Sequence, residues 1–310
     1  MVSPDSSPAY SRPQGVFPAL LGVAREPFLV LTPGCVLLGV AVAAQHTVSF
    51  DALRVVLVFL AALSAHIAVN VLNELSDFRS GLDLKTERTP FSGGSGTLPG
   101  QPRHFRNAKR LAAGALLVLG ICGLWLVWLS GPALLLFGVL GLVIVLTYTD
   151  WLNRNPWLCL LAPGIGFGPC MVAATELALS GEVSLSGWVA SLVAGCLTSG
   201  LLLLNQFPDR EADREARRRH LLIVYGVTQA RYVYLGLIAV AVMPVVTMVV
   251  TGVWPGWTLL ALAPFLLVFI IEPPLRRSPD NIEALIPALG ANVLLVNLVI
   301  WLLVLGVYLG

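Results

Sequence analysis

An all-α membrane protein is the fold class this sequence predicts: nine transmembrane helices bundled around a central cavity, with the N-terminus cytoplasmic. Three observations carry it. Of 310 residues, 57% are hydrophobic and only 12% charged, with mean hydropathy +0.84, far from the roughly 25% charged content of a soluble domain. Apolar windows of about 20 residues, the length that crosses a bilayer, recur along the whole chain. Placing the N-terminus and the connections after even-numbered windows on one side collects every Lys and Arg there except Arg54. An excess of basic residues marks that side as cytoplasmic.

In order, residues 1–16 are Ser- and Pro-rich and read as a disordered tail, followed by one transmembrane domain over 17–310. The predicted spans are 24–44, 52–73, 109–129, 132–150, 157–179, 184–207, 229–251, 256–273 and 284–309. The first is too long for a signal-peptide core and lacks a small-residue cleavage site. Connections near 45–51, 130–132, 180–184 and 252–256 are short and carry Gly, Ser, Pro and Thr, which suits tight turns between antiparallel helices. The long charged connections, 74–108 and 208–228, both fall on the basic side, and function concentrates in such segments.

Several classes are excluded by what surrounds the reactive side chains. Cys35, Cys122, Cys159, Cys170 and Cys196 lie in apolar runs without metal-binding spacing, so they read as small buried or lipid-facing residues. His46, His66, His104 and His220 are scattered, which suggests neither zinc nor haem. The basic residues sit beside acidic ones and next to apolar spans, so nucleic-acid binding has no support.

Two polar boundaries remain. Asn70, Asn73 and Asp77 fall at i, i+3 and i+7 on one helix face, with Glu74 beside them and Asp83 following Gly81. Asn205, Asp209 and Asp213 repeat the theme at i, i+4 and i+8. In both, Asn precedes Asp by four residues on the same membrane side. Carboxylates at membrane helix ends need positive company, which Arg residues or a divalent metal can supply. Hard oxygen donors in an open arrangement suit Mg²⁺ that shares its shell with water and phosphate. Arg79, Lys85 and Arg88 follow the first stripe, and Arg210, Arg214, Arg217 and Arg218 the second. Acid, metal and base together can hold a diphosphate, whose apolar tail then lies among the helices. The run at 91–99, FSGGSGTLP, has no Gly-Lys-Ser/Thr ending and is no P-loop; it suits a flexible lid over a polar headgroup.

At these residues the sequence resembles the UbiA superfamily of intramembrane prenyltransferases, in the nine spans, the two acidic connections and their shared face. Asn73, Asp77, Gly81 and Asp83, with Asn205, Asp209 and Asp213, look most like the branch that prenylates dihydroxynaphthoate in menaquinone synthesis. The resemblance implies that Asn73, Asp77, Asp83, Asn205, Asp209 and Asp213 bind two Mg²⁺ ions that clamp an isoprenoid diphosphate. Arg88, Arg218 and Lys85 would offset leaving-group charge, Arg25 would shape the pocket, and the ring of Tyr148 would steady a carbocation. The implied partners are an isoprenoid diphosphate, a hydrophobic or aromatic acceptor and membrane lipid, in a bacterial inner membrane with the active site facing the cytoplasm. The sequence departs from the pattern at Glu74 for a usual Asp, Arg218 for a usual Lys, His220 for a usual Thr, and in the Gly-rich segment 89–96.

The expected reaction is Mg²⁺-dependent prenyl transfer to an aromatic, quinone-precursor-like acceptor. A UbiA-type terpene cyclase shares the same diphosphate site. A transporter or non-catalytic lipid-binding protein would carry its ionisable groups near the bilayer midplane, whereas these cluster at one face. A CDP-alcohol phosphotransferase would need a D-G-x-x-A-R signature, which is absent.

Overall fold

A computed structural model describes residues 15–47, 49–84, 86 and 88–309. Positions 1–14 of the expected tail lie outside this set, as does Lys85. Among the described residues the chain is built of helices and turns: α1 (Val16–Ala24), a 3₁₀ turn (Glu26–Phe28), α2 (Leu31–Ala43), α3 (Ala52–Ser80), α4 (Thr97–Gly100), α5 (Phe105–Ser130), α6 (Leu134–Thr147), α7 (Pro156–Phe167), a π-helical turn (Gly168–Ala173), α8 (Ala174–Ser180), α9 (Leu185–Glu215), α10 (Leu221–Val250), a 3₁₀ segment (Gly256–Leu267), α11 (Val268–Arg277) and α12 (Ile282–Tyr308).

Eight helical stretches are long and apolar enough to cross a membrane, and α6 is a shorter apolar helix of 14 residues. Each of these nine helical stretches overlaps one predicted window, but four run well past it, the third starting early at Pro102 and the seventh at Leu221. The second continues to Ser80 and the sixth to Glu215, so the acidic stripes ride on rigid helix ends rather than in loops. The first helical region is also broken where the sequence reads as continuous. Arg25 takes a left-handed conformation with φ 54°, and Pro27 follows in the 3₁₀ turn. This break aims the Arg25 side chain inward at α3.

Local signals fix the helix ends. Asp51 caps α3 by accepting from the Leu53 N–H at 2.9 Å, and Gly81 ends it in the left-handed region. Asn155 caps α7, accepting from Trp157 and Leu158 N–H, with Pro156 at the first helical position, where its missing N–H is not needed. Ser184 and Asn281 cap α9 and α12.

The most extensive pairings are α3 with α5, α9 with α10, α12 with Gly256–Leu267, and α7 with α9. The last is a close crossing of small residues. A Cβ on Gly164 would stand 2.7 Å from the Gly195 carbonyl, so only Gly allows this approach, a common device where lipid supplies no hydrophobic drive between helices. Exposed Trp128, Trp188 and Trp257 lie near one end of the bundle and exposed Trp151 and Trp157 near the other, as in interfacial aromatic belts.

Candidate active site

The C-terminal ends of α3 and α9 come together in space. Asp77 on α3 and Asp213 on α9 are both buried, and one guanidinium bridges them: Arg218 donates to Asp77 Oδ1 and, at 2.8 Å, to Asp213 Oδ1. A tight turn makes this reach possible. Arg217 adopts a left-handed φ of 60°, the Arg218 N–H returns to the Asp213 carbonyl, and the Arg219 N–H bonds the Asn153 carbonyl. Burial opposes the Arg218 charge, but Asp213 and Asp77 outweigh it and raise its pKa. His220, nearly fully buried, lies 3.1 Å through Nε2 from the second Asp213 oxygen.

The Gly-rich segment folds back over these groups and touches both stripes. Gly93 N–H donates to Asp209 Oδ2 at 3.1 Å. Ser95 gives its N–H to Glu74 Oε1 at 2.7 Å and its hydroxyl to Glu74 Oε2 at 2.8 Å. Glu74 is completely buried and also accepts from Arg25 Nε at 2.8 Å, while Arg25 Nη2 donates to Asn73 Oδ1. In the sequence Glu74 stands out as a longer-armed acid in the motif; in the structure that arm latches the lid.

A polar cavity of about 100 Å³ is lined by Arg25, Asn73, Asp77, Asp83, Asn205, Asp209, Asp213 and Arg218, together with Gly93, Gly94 and His220. It adjoins an apolar chamber of about 520 Å³ that shares Arg25, Asn73, Phe91, Tyr148, Leu202 and Asn205 with it. Tyr148 sits at this boundary with its hydroxyl 4.0 Å from Cys159 Sγ, which also accepts from Gln206.

Of the sequence-predicted residues, Asn73, Asp77, Asp83, Asn205, Asp209, Asp213, Arg25, Arg218 and Tyr148 are thus gathered at one place. Arg88 is not among the lining residues and donates to the Gly94 carbonyl at 3.3 Å on the lid. Three other bases read as diphosphate partners are engaged elsewhere: Arg79 over the Phe105 ring, Arg210 with Glu211 and Asp280, and Arg214 with Glu211. Ser95, Gly93, Gln206 and Asn153 join the site with no individual signal in the sequence beyond the Gly-rich run.

The donor set fits an oxygen-seeking cation shared with a ligand. Among the described residues, buried Asp83 Oδ2, Asn205 Oδ1 and Asp209 Oδ1 have no hydrogen-bond partner. Burial, with Glu74 and Asp77 nearby, pushes the Asp83 carboxyl up to about 8, the mark of a carboxylate short of positive charge. Among the described residues no three His, Cys, Asp or Glu side chains converge as a self-sufficient metal cage. Mg²⁺ does not need one, since it keeps waters and takes phosphate oxygens into its shell.

Residues 33–292 match the UbiA prenyltransferase family. The chain is 28% identical over 228 residues to the 1,4-dihydroxy-2-naphthoate octaprenyltransferase of Bacillus subtilis, covering 72% of this chain and 70% of that protein. It is 29% identical over 240 residues to the enzyme of the same name from Mycobacterium tuberculosis, covering 76% and 78%. Among solved structures, a digeranylgeranylglyceryl phosphate synthase superposes with TM-score 0.68 at 18% identity over 95% of this chain and 99% of that one. A UbiA homologue from Archaeoglobus fulgidus bound to DMAPP and Mg²⁺ superposes with TM-score 0.64 at 14% identity over 92% and 99%. Apolar helices of membrane-crossing length, two facing acidic helix ends and these matches converge on one assignment: this chain is an integral membrane prenyltransferase and belongs to the UbiA prenyltransferase family.

Proposed function

We propose that the protein transfers a prenyl group from an isoprenoid diphosphate to an aromatic, quinone-precursor-like acceptor inside the membrane, in a Mg²⁺-dependent reaction. The observation that carries this reading is the adjacency of the two cavities: a small acidic and basic site abuts a larger apolar chamber, and the two share Asn73, Tyr148 and Asn205 as lining. That shape fits a molecule with a charged head and a hydrocarbon tail.

Asp77, Asp83, Asp209, Asp213 and Asn205 would hold Mg²⁺, with Asn73 tied to Arg25 beside them. When bound, the metal supplies Lewis-acid neutralisation of the leaving diphosphate. Arg218 adds fixed positive charge on the same side, and the Gly93–Ser95 lid excludes water from the developing allylic cation. The Tyr148 ring at the cavity boundary faces that cation. Arg88, bonded to the Gly94 carbonyl, acts on the departing pyrophosphate from outside the polar cavity, and Lys85 would add to the positive charge that offsets it. The C–O bond to diphosphate breaks, a bond from the allylic carbon to an electron-rich ring carbon forms, and the ring loses its substituent as a proton or carbon dioxide.

The same reading places residues 17–310 as one domain of nine crossings, with α6 as the ninth. It puts the N-terminus and the polar site on the cytoplasmic side of a bacterial inner membrane. Purified protein with geranylgeranyl diphosphate, Mg²⁺ and 1,4-dihydroxy-2-naphthoate is expected to release pyrophosphate and form a prenylated naphthalene. A cyclic hydrocarbon formed without acceptor would replace this reading with a terpene cyclase.

A further inference from the structure

One stripe of α3 links the polar cavity to the interior of the chamber. His66, Asn70, Asn73 and Asp77 fall at i, i+4, i+7 and i+11; the first three line the apolar chamber, and Asn73 and Asp77 line the polar cavity. Eleven residues at 1.5 Å rise place His66 about 16 Å along the helix from Asp77. That span accommodates the reacting carbon of a prenyl diphosphate and a two-ring aromatic laid end to end.

His66 is held on two sides. Its Nδ1 lies 2.7 Å from Thr32 Oγ1 on α2, and its ring meets Phe167 edge to face, with centroids 4.9 Å apart. Among the described residues Nε2 has no hydrogen-bond partner, and the space beside the ring is the chamber. Of the neighbouring polar amides, Asn70 Nδ2 donates to the Ala24 carbonyl and Asn297 Nδ2 to the Val293 carbonyl, which leaves Asn297 Oδ1 as a buried acceptor without a partner among the described residues.

An unpartnered ring nitrogen facing an apolar chamber is unfavourable unless something in the chamber satisfies it. A prenyl tail has no group that can. A hydroxyl on the acceptor has one, and it suits either tautomer: the Thr32 hydroxyl can donate to Nδ1 or accept from it, so Nε2 can be donor or acceptor in turn. We propose that His66, oriented by Thr32, binds a ring hydroxyl of the aromatic acceptor and seats that ring between itself and the polar cavity. The assignment rests on the prenyl-transfer reading and deepens it by naming the acceptor's anchor.

The test measures kcat/KM with geranylgeranyl diphosphate and Mg²⁺ for three acceptors: 1,4-dihydroxy-2-naphthoate, 1-hydroxy-2-naphthoate and 4-hydroxy-2-naphthoate. The wild type is expected to disfavour the monohydroxy compound that lacks the anchored hydroxyl by roughly ten- to a hundredfold, the loss typical of an unpaired buried hydrogen-bonding group. His66→Phe should erase that preference while leaving KM for the diphosphate unchanged. His66→Gln should keep part of the preference, and Thr32→Val, which only frees the ring, should weaken it.

Equal losses on all three acceptors in His66→Phe would mean a purely structural role and overturn the assignment, as would an unchanged preference. Calorimetric binding of the three naphthoates to the Mg²⁺-loaded protein gives a second readout that needs no turnover. If no naphthoate is prenylated, the transfer reading fails on its own. Wild-type binding that ignores the hydroxyls then refutes the anchor, and hydroxyl-selective binding lost in His66→Phe supports it.

Discussion

Arg218 donates to Asp77 across 141 residues of sequence, and this contact joins the two acidic stripes of the fold. The same guanidinium holds Asp213, so a protein cation sits between the carboxylates that a metal and a diphosphate would otherwise bring together. Removing it leaves two buried carboxylates without their partner, which costs about 3–5 kcal/mol for a buried pair. Arg218→Ala is therefore expected to lower the thermal midpoint by several degrees in Mg²⁺-free detergent solution. Added Mg²⁺ should raise the midpoint more in this variant than in the wild type, because the vacated carboxylates bind it more strongly. An equal Mg²⁺ response in both proteins would contradict the bridging role.

Asp77 and Asp209 stand on opposite helices of the same cavity, and Asp209 Oδ1 has no partner among the described residues. Asp77→Ala and Asp209→Ala should each abolish Mg²⁺-dependent pyrophosphate release while the proteins remain folded by circular dichroism and elute as the wild type does. Retained release in either variant removes that residue from the metal site.

Glu74 holds the lid through both Ser95 contacts and is itself neutralised by Arg25. Glu74→Gln keeps the shape and loses the charge-assisted bonds, each stronger than its neutral counterpart. The lid should open more often and admit water, so product is diverted to free prenyl alcohol. Chromatography of the organic extract is expected to show a several-fold rise in the ratio of prenyl alcohol to prenylated acceptor, with diphosphate consumption much less affected.

Gly94 offers a steric test of the same closure. Its φ is +72°, and a Cβ would stand 2.7 Å from Asp83 Oδ1, so Gly94→Ala strains the backbone and pushes on the Asp83 carboxylate. At least a tenfold loss of kcat/KM for the diphosphate is expected. Gly114→Ala, at a site with no atoms within 4 Å of the added carbon, should leave the rate unaltered.

Much of this was legible in the sequence for a definable reason. Hydropathy windows and the placement of Arg and Lys report a free energy of transfer that acts residue by residue, so each of the eight helices of membrane-crossing length falls on a predicted window. The Asn73–Asp77 and Asn205–Asp209–Asp213 spacings report helix periodicity, which survives into the fold. What stayed hidden depends on chain reversal. Glu74 looked like a variant metal-motif acid until Ser95 returned to meet it, and Arg79, Arg210 and Arg214 looked like phosphate partners until Phe105, Glu211 and Asp280 occupied them. Spacing alone also could not show that Arg25, in its left-handed turn, would reach both Asn73 and Glu74.

The chamber is walled in part by Leu124 on α5 and by Leu135 and Val139 on α6, side chains that the bundle leaves exposed. On the proposed function, the hydrophobic ligands would arrive sideways, out of the bilayer, rather than from water. Saturation is governed by mole fraction in the lipid phase: at fixed total substrate, adding vesicles or detergent dilutes the reactants in two dimensions and slows the enzyme. A rate constant quoted per litre of buffer describes the preparation; one quoted per mole of lipid describes the protein.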